Sequence, residues 1–62
     1  MDNISVVIRT KNEEEFIGFA IQSCIDHFSD PEIIIVDDNS SDETLKIISL
    51  FDKHNIKVVK LN

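Results

Sequence analysis

Apolar and polar residues alternate along the chain in blocks whose period changes, and the blocks predict regular elements. Residues 4–8 are a short, mostly β-branched run before a polar stretch, which predicts a buried strand. From Glu14 onwards, apolar residues recur at helical spacing, which predicts a helix that residues 29–31 (Ser-Asp-Pro) end. The apolar stripe of this helix consists of Phe16, Ile17, Ala20, Ile21, Cys24, Ile25 and Phe28.

The second half of the chain repeats the order of strand and helix. Residues 33–36 are consecutive β-branched residues, so both faces of this strand are apolar, as in a parallel sheet. Ser40 and Glu43 fit a capping box at the start of a second helix, whose stripe is Leu45, Ile48 and Phe51. Residues 56–61 predict a third, partly alternating strand. The predicted order is therefore β-α-β-α-β.

This order predicts an α/β fold, a Rossmann-like half with a three-stranded parallel sheet in the order 3-2-1. Right-handed crossovers place both helices on the same face of the sheet. On the second strand, Ile33 and Ile35 point to one face, and Ile34 and Val36 point to the other. One apolar set therefore lacks a cover. We expect residues 1–62 to be a single, incomplete domain, or a partner chain to cover the bare face.

Length and cysteine content remove several classes of protein. A domain of 62 residues is marginally stable alone, and a single cysteine, Cys24, excludes an internal disulfide. One cysteine and two histidines do not make a structural zinc site. The apolar fraction of 42% is nevertheless typical of a globular chain.

The charge balance excludes further classes. Six basic and twelve acidic residues give a net charge of −6, so we expect no nucleic-acid partner and no electrostatic binding to anionic membranes. No apolar run exceeds four residues, which excludes a transmembrane helix. Residues 1–3 (Met-Asp-Asn) carry an acidic residue and lack the apolar part of a signal peptide, so the expected location is cytoplasmic.

Two polar clusters follow the first two strands, and they predict a ligand site. Residues 9–13 follow the first strand, and Asp37 and Asp38 follow the second. Ligands of open α/β sheets bind outside the carboxyl ends of the strands, where these clusters should lie side by side. The chain's one glycine, Gly18, lies inside the first helix, which excludes a glycine-rich phosphate loop. Side chains and main chain must then hold a nucleotide base and ribose.

The paired aspartates should have different roles, because side chains alternate along a strand. An ionised carboxylate only accepts hydrogen bonds, which suits N3–H of uracil or N1–H and N2–H of guanine. In the alternative interpretation, one aspartate caps the following turn through backbone N–H groups. Capping is the stronger alternative for Asp37, and base recognition is the stronger one for Asp38.

Residues 5–14 (Ser-Val-Val-Ile-Arg-Thr-Lys-Asn-Glu-Glu) and 34–44 (Ile-Ile-Val-Asp-Asp-Asn-Ser-Ser-Asp-Glu-Thr) resemble the N-terminus of inverting family 2 glycosyltransferases with the GT-A fold. The usual family pattern is a strand, Pro-Thr-Tyr-Asn-Glu, a helix, and a strand ending Asp-Asp-Gly-Ser-x-Asp-x-Thr. The resemblance covers nearly the whole chain. It implies that Thr10, Lys11 and Glu13 line the base and ribose pocket and that Asp38 reads the base. The other candidate nucleotide-binding residues are Arg9, Asn12 and Asp37.

Three residues depart from the family pattern. Arg9 replaces the usual proline, and Lys11 replaces a tyrosine, so Lys11 cannot stack an aromatic ring on the base. A lysine could instead lay its stem along the base or approach a phosphate. Asn39 replaces a glycine, and asparagine tolerates left-handed backbone geometry.

The resemblance implies transfer of a sugar, with inversion, from a nucleotide-diphosphate sugar to an acceptor hydroxyl of a glycan, lipid or other compound. It also implies a divalent metal, Mg or Mn, and a catalytic base. The family's Asp-x-Asp metal motif and its base are expected beyond this segment, which should therefore bind the nucleotide without catalysing transfer. Membrane association of a complete enzyme stays open.

Two other functions stay open. Residues 34–39 also resemble the acidic pair of bacterial receiver domains, although in receivers this pair ends the first strand. The other alternative is a non-catalytic binding or assembly module that kept the half-fold. Self-association through the bare sheet face would favour that alternative.

Overall fold

The computed structural model describes residues 4–61, in which the predicted order of elements is confirmed. Residues 1–3, on which the expected location partly depends, lie outside the described residues, as does Asn62. The elements are β1 (Ser5–Thr10), α1 (Ile17–His27), β2 (Glu32–Asp38), α2 (Thr44–Ser49) and β3 (Ile56–Leu61).

The three strands form a parallel sheet in the order β1-β2-β3, with β2 in the centre. This is the predicted order. Thr10 is in register with Asp37, and Asp38 is in register with Leu61. The carboxyl ends of the strands therefore meet at one edge of the sheet, where the polar clusters lie.

The core lies between one face of the sheet and both helices. Ile33 and Ile35 of β2 are fully buried there, beneath Ile17 and Ile21 of α1 and Ile48 of α2. Isoleucine suits both sides of this interface, because its β-branched side chain fits a pleated strand and its bulk fills the space under a helix. Cys24 packs against the same cluster, as predicted for a core cysteine.

The opposite face of the sheet carries no helix within residues 4–61. Val7 of β1 is 63% exposed there, and Ile34 and Val36 of β2 are half-buried. The prediction of an uncovered apolar face is confirmed for this part of the chain.

The first helix begins later than predicted. α1 starts at Ile17, and residues 14–16 form a turn in which the Glu13 carbonyl accepts hydrogen bonds from the N–H groups of Phe16 and Ile17 at 2.9 and 2.8 Å. Phe16 is 64% exposed, so its predicted place on the apolar stripe is wrong.

The predicted capping box is also wrong. α2 begins at Thr44, and the Ser40 side chain is engaged elsewhere, with Asp37 and with the backbone of Asn12. The carboxylate of Asp42 accepts instead from the N–H and the hydroxyl of Thr44. Among residues 4–61, no helix has the length and apolar character needed to cross a membrane.

Candidate functional site

The loop after β1 (residues 11–16) and the loop after β2 (residues 39–43) lie side by side at the carboxyl edge of the sheet. Pairing of β1 with β2 brings them together, and hydrogen bonds between the loops join residues 28 to 31 positions apart in the chain. The predicted juxtaposition of the two polar clusters is therefore confirmed.

Four of the predicted site residues line one shallow recess of about 140 Å³ at this edge, here called the edge recess: Arg9, Thr10, Lys11 and Asp38. Arg9 and Lys11 are exposed, and Asp38 is half-buried at the end of β2. One acidic residue, two basic residues and Thr10 thus border a single concave surface.

Thr10 differs from the other residues of the edge recess because it is only 4% exposed. Its Oγ1 atom has no hydrogen-bond partner within residues 4–61. A buried hydroxyl left without a partner costs roughly 1–3 kcal/mol. Thr10 also lines a neighbouring recess of about 130 Å³, which it shares with Arg9, Glu13 and four apolar residues, Ile8, Phe16, Ile17 and Ala20.

Glu13 belongs to the first loop and lines that neighbouring recess. Its backbone N–H donates to Oγ1 of Thr44 at 2.9 Å. The bond holds the main chain of Glu13 against the start of α2 and does not use its carboxylate. Glu13 therefore stands beside Arg9 and Thr10, but outside the edge recess.

The two aspartates of β2 point to opposite faces of the sheet, as predicted. Asp37 is 1% exposed and faces the helices, where its carboxylate accepts from the backbone N–H of Ser40 at 3.1 Å and from the Ser40 hydroxyl. Asp38 faces the uncovered side and reaches the edge recess. Asp37 thus makes the turn-capping contacts of the alternative interpretation.

Asn12 bridges the two loops. Its φ of 50° lies in the left-handed region, which asparagine tolerates, and Asn39 in the other loop has a φ of 58°. The N–H of Asn12 donates to Oγ of Ser40 at 3.0 Å, and its Oδ1 accepts from the N–H of Ser41 at 2.8 Å. Asn12 and Asp37 are the two predicted site residues that line neither recess.

Glu14 and Asp42, which the sequence does not place among the site residues, complete the bridge. The N–H of Glu14 donates to Asp42 Oδ2 at 3.3 Å, and the N–H of Glu43 donates to Glu14 Oε1 at 2.9 Å. We call the set of residues whose side chains join the loops the loop clasp: Asn12, Glu14, Ser40, Asp42 and Thr44. The Asp-x-Thr spacing before α2 was a local signal for the last two, because a short polar side chain often binds the N–H two residues on.

The hydrogen bonds of the loop clasp lower the pKa of Asp42. Desolvation raises the pKa of this carboxyl, but hydrogen bonds from the Thr44 hydroxyl and from the N–H groups of Thr44 and Glu14 outweigh it. Hydrogen bonds to the charged form of a carboxyl favour that form. Asp42 is therefore held ionised, as an acceptor for both loops.

The family resemblance implies a divalent metal, and the described residues were considered as its ligands. Within residues 4–61, no three His, Cys, Asp or Glu side chains gather in a group that could hold a metal ion. The carboxylates of Asp37 and Asp42 accept hydrogen bonds from Ser40, Thr44 and Glu14. Both carboxylates therefore act as structural acceptors, Asp37 at the end of β2 and Asp42 in the loop after it.

The sequence also resembles a known protein family over most of its length. The sequence of residues 5–62 matches the family model of Glycosyl transferase family 2. The match includes all five elements, both loops and every residue of the edge recess and the loop clasp.

Proposed function

The chain belongs to glycosyl transferase family 2, and from that premise we propose that the edge recess binds the nucleotide of a nucleotide-diphosphate sugar. Membership of the family supports a role in glycosyl transfer. The proposal adds a role for the residues of the edge recess in this transfer, which is recognition of the donor's nucleotide.

The chemistry of the edge recess is the observation that supports this proposal. Asp38 offers a carboxylate, which accepts hydrogen bonds from the ring N–H groups of uracil or guanine. Lys11 and Arg9 offer cations at the same surface, and charge-assisted bonds to phosphate are among the stronger hydrogen bonds. Thr10 also borders the recess, and its buried hydroxyl lacks a partner within residues 4–61.

In the proposed reaction, an acceptor hydroxyl of a glycan, lipid or other compound attacks the anomeric carbon of the sugar. The new carbon–oxygen bond forms as the bond to the nucleoside diphosphate breaks, which inverts the configuration, and a carboxylate base takes the hydroxyl proton. We propose that residues other than 4–61 supply this base and the ligands of the expected Mg²⁺ or Mn²⁺. The chain of residues 1–62 is then expected to bind nucleotide without transferring sugar, and its cytoplasmic location stays a prediction.

Titration of UDP, GDP and CDP against the protein by calorimetry tests the proposal. We expect one of the three to bind best and Asp38→Asn to weaken that binding about tenfold to a hundredfold, because a hydrogen bond to a charged group contributes about 1.5–3 kcal/mol. Asn keeps one accepting oxygen, but it presents an N–H₂ donor in place of the second carboxylate oxygen.

Asp52→Asn is the matched control, since it makes the same charge change at an exposed position remote from the edge recess. Its nucleotide affinity should equal that of the wild type. Absence of binding for all three nucleotides would show that the edge recess is not a nucleotide site. Sugar transfer by the purified 62-residue chain would contradict the assignment of catalysis to other residues.

A further inference from the structure

We propose that the loop clasp is the positioning device of the edge recess, and that Asn12 and Asp37 act on a bound nucleotide through the loops they hold. The inference rests on the proposed function. It reassigns two residues that the sequence places among those that contact the nucleotide.

One chain of hydrogen bonds ties the loop clasp to a buried residue of β2 that is not itself part of the clasp. Asp37 is 1% exposed, and both of its carboxylate oxygens accept from Ser40, one from the backbone N–H and one from the hydroxyl. The Ser40 oxygen accepts in turn from the N–H of Asn12 at 3.0 Å. The position of Asn12 in the first loop is thereby set from the end of β2.

The two loops are also joined directly, by hydrogen bonds that run in both directions. Backbone N–H groups of the first loop donate to side chains of the second, and backbone N–H groups of the second donate to side chains of the first. The bonds to the second loop and α2 come from Asn12, Glu13 and Glu14, and those to the first loop come from Ser41 and Glu43. Neither loop can shift along the other without breaking bonds of both kinds.

The residues of the edge recess are the immediate neighbours of this network. Lys11 directly precedes Asn12, and Asp38 directly follows Asp37. A change in the loop clasp therefore moves the ammonium group of Lys11 relative to the carboxylate of Asp38. Recognition by a few directed groups depends on such placement, because hydrogen bonds weaken steeply as their angles depart from linearity.

Two substitutions of Asn12 test whether its side chain positions the loops or contacts the nucleotide directly. Asn12→Gly keeps the left-handed backbone without strain and removes the Oδ1 acceptor, whereas Asn12→Asp keeps an acceptor oxygen and also tolerates this φ. With the best-binding nucleotide of UDP, GDP and CDP, we expect Asn12→Gly to weaken affinity about tenfold and Asn12→Asp to restore it to within about threefold.

Amide resonances of the ligand-free protein provide the second readout. Asn12→Gly should shift the amide resonances of Asp38 and Ser41 before any nucleotide is added, because the loops have moved. Ile21→Val is the control for stability, since Ile21 is fully buried in the core and remote from the loops. It should lower the midpoint of unfolding and leave nucleotide affinity unchanged.

The outcomes separate this inference from the proposed function. If the wild type binds none of the three nucleotides, both are overturned. If the wild type binds but Asn12→Gly binds equally well, the inference alone is overturned. It is also overturned if affinity falls while the ligand-free resonance of Asp38 stays in place, because that result identifies Asn12 as a direct contact.

Discussion

Asp37 and Asp38 are adjacent in the chain, yet the strand places their carboxylates in separate environments. Asp37 is buried on the helix side of the sheet and accepts hydrogen bonds from Ser40, and Asp38 borders the edge recess. Strand alternation predicted this separation from the sequence. It did not predict which aspartate is buried, because β-branched residues stand at both sets of preceding positions and make the two faces equally apolar.

Thr10 gives a prediction at the scale of one atom. Thr10→Val removes the Oγ1 hydroxyl, which has no partner within residues 4–61, and keeps the β-branched shape that suits a strand. We expect the free energy of unfolding of the nucleotide-free protein to rise by about 1 kcal/mol, because a buried unsatisfied group is lost. Nucleotide affinity should fall in the same variant.

Urea denaturation and calorimetric titration measure these two effects, and Thr10→Ser is the control that keeps the hydroxyl. A Thr10→Val protein that is less stable than the wild type would mean that Oγ1 has a partner in solution without the nucleotide.

At the scale of elements, the sequence predicted the number, type and order of helices and strands, but not where the helices begin. The capping box of Ser40 and Glu43 satisfied every local requirement. It failed because Ser40 bonds to Asp37 and to Asn12, and Asn12 lies 28 positions away. Likewise, the first helix was predicted from Glu14 onwards but begins at Ile17. The carboxylate of Glu14 instead accepts from the N–H of Glu43. Local patterns carry no information about such distant partners.

Asp42 gives a prediction at this scale, because its carboxylate joins the first loop to the start of α2. Its pKa is lowered in the folded protein, so the unfolded chain takes up a proton first as the pH falls. The stabilisation is therefore fully present above the unfolded pKa of about 3.9 and is lost as the pH falls through the lower folded pKa.

We expect the difference in stability between the wild type and Asp42→Asn to be largest near neutral pH and to shrink below about pH 4. Urea denaturation at several pH values measures it, with Asp52→Asn as the exposed control. A difference that is constant across this range would show that ionisation of Asp42 does not support the loops.

At the scale of the whole molecule, the sheet has one covered and one uncovered face. The sequence predicted this asymmetry, since two crossovers of one hand can only cover one side. Ile35 faces the helices and is fully buried, whereas Ile34 faces the other way and is half-buried. These neighbours are the same residue type on the same strand, so they form a matched pair for measuring how well each face is covered.

In the 62-residue chain, we expect Ile35→Val to lower the free energy of unfolding by about 0.5–1.5 kcal/mol, as is usual for a buried isoleucine. Ile34→Val should cost less than half as much, because less of its side chain leaves water on folding. Urea denaturation of both variants tests this, and equal losses would mean that the second face is covered in solution.

The dependence of the unfolding midpoint on protein concentration tests whether a second copy of the chain covers this face. Self-association through the uncovered face remains a prediction, and it would raise the unfolding midpoint of the wild type as concentration increases. A midpoint that does not depend on concentration would count against self-association.

The loop clasp also determines which side chains can be exchanged. Most of its bonds between the loops are donated by backbone N–H groups, which every residue except proline carries. The side chains of Lys11 and Glu13, which face the two recesses, are not used in holding the loops. Ligand preference can therefore be retuned at these positions, by mutation in nature or in the laboratory, while the scaffold that presents them stays the same.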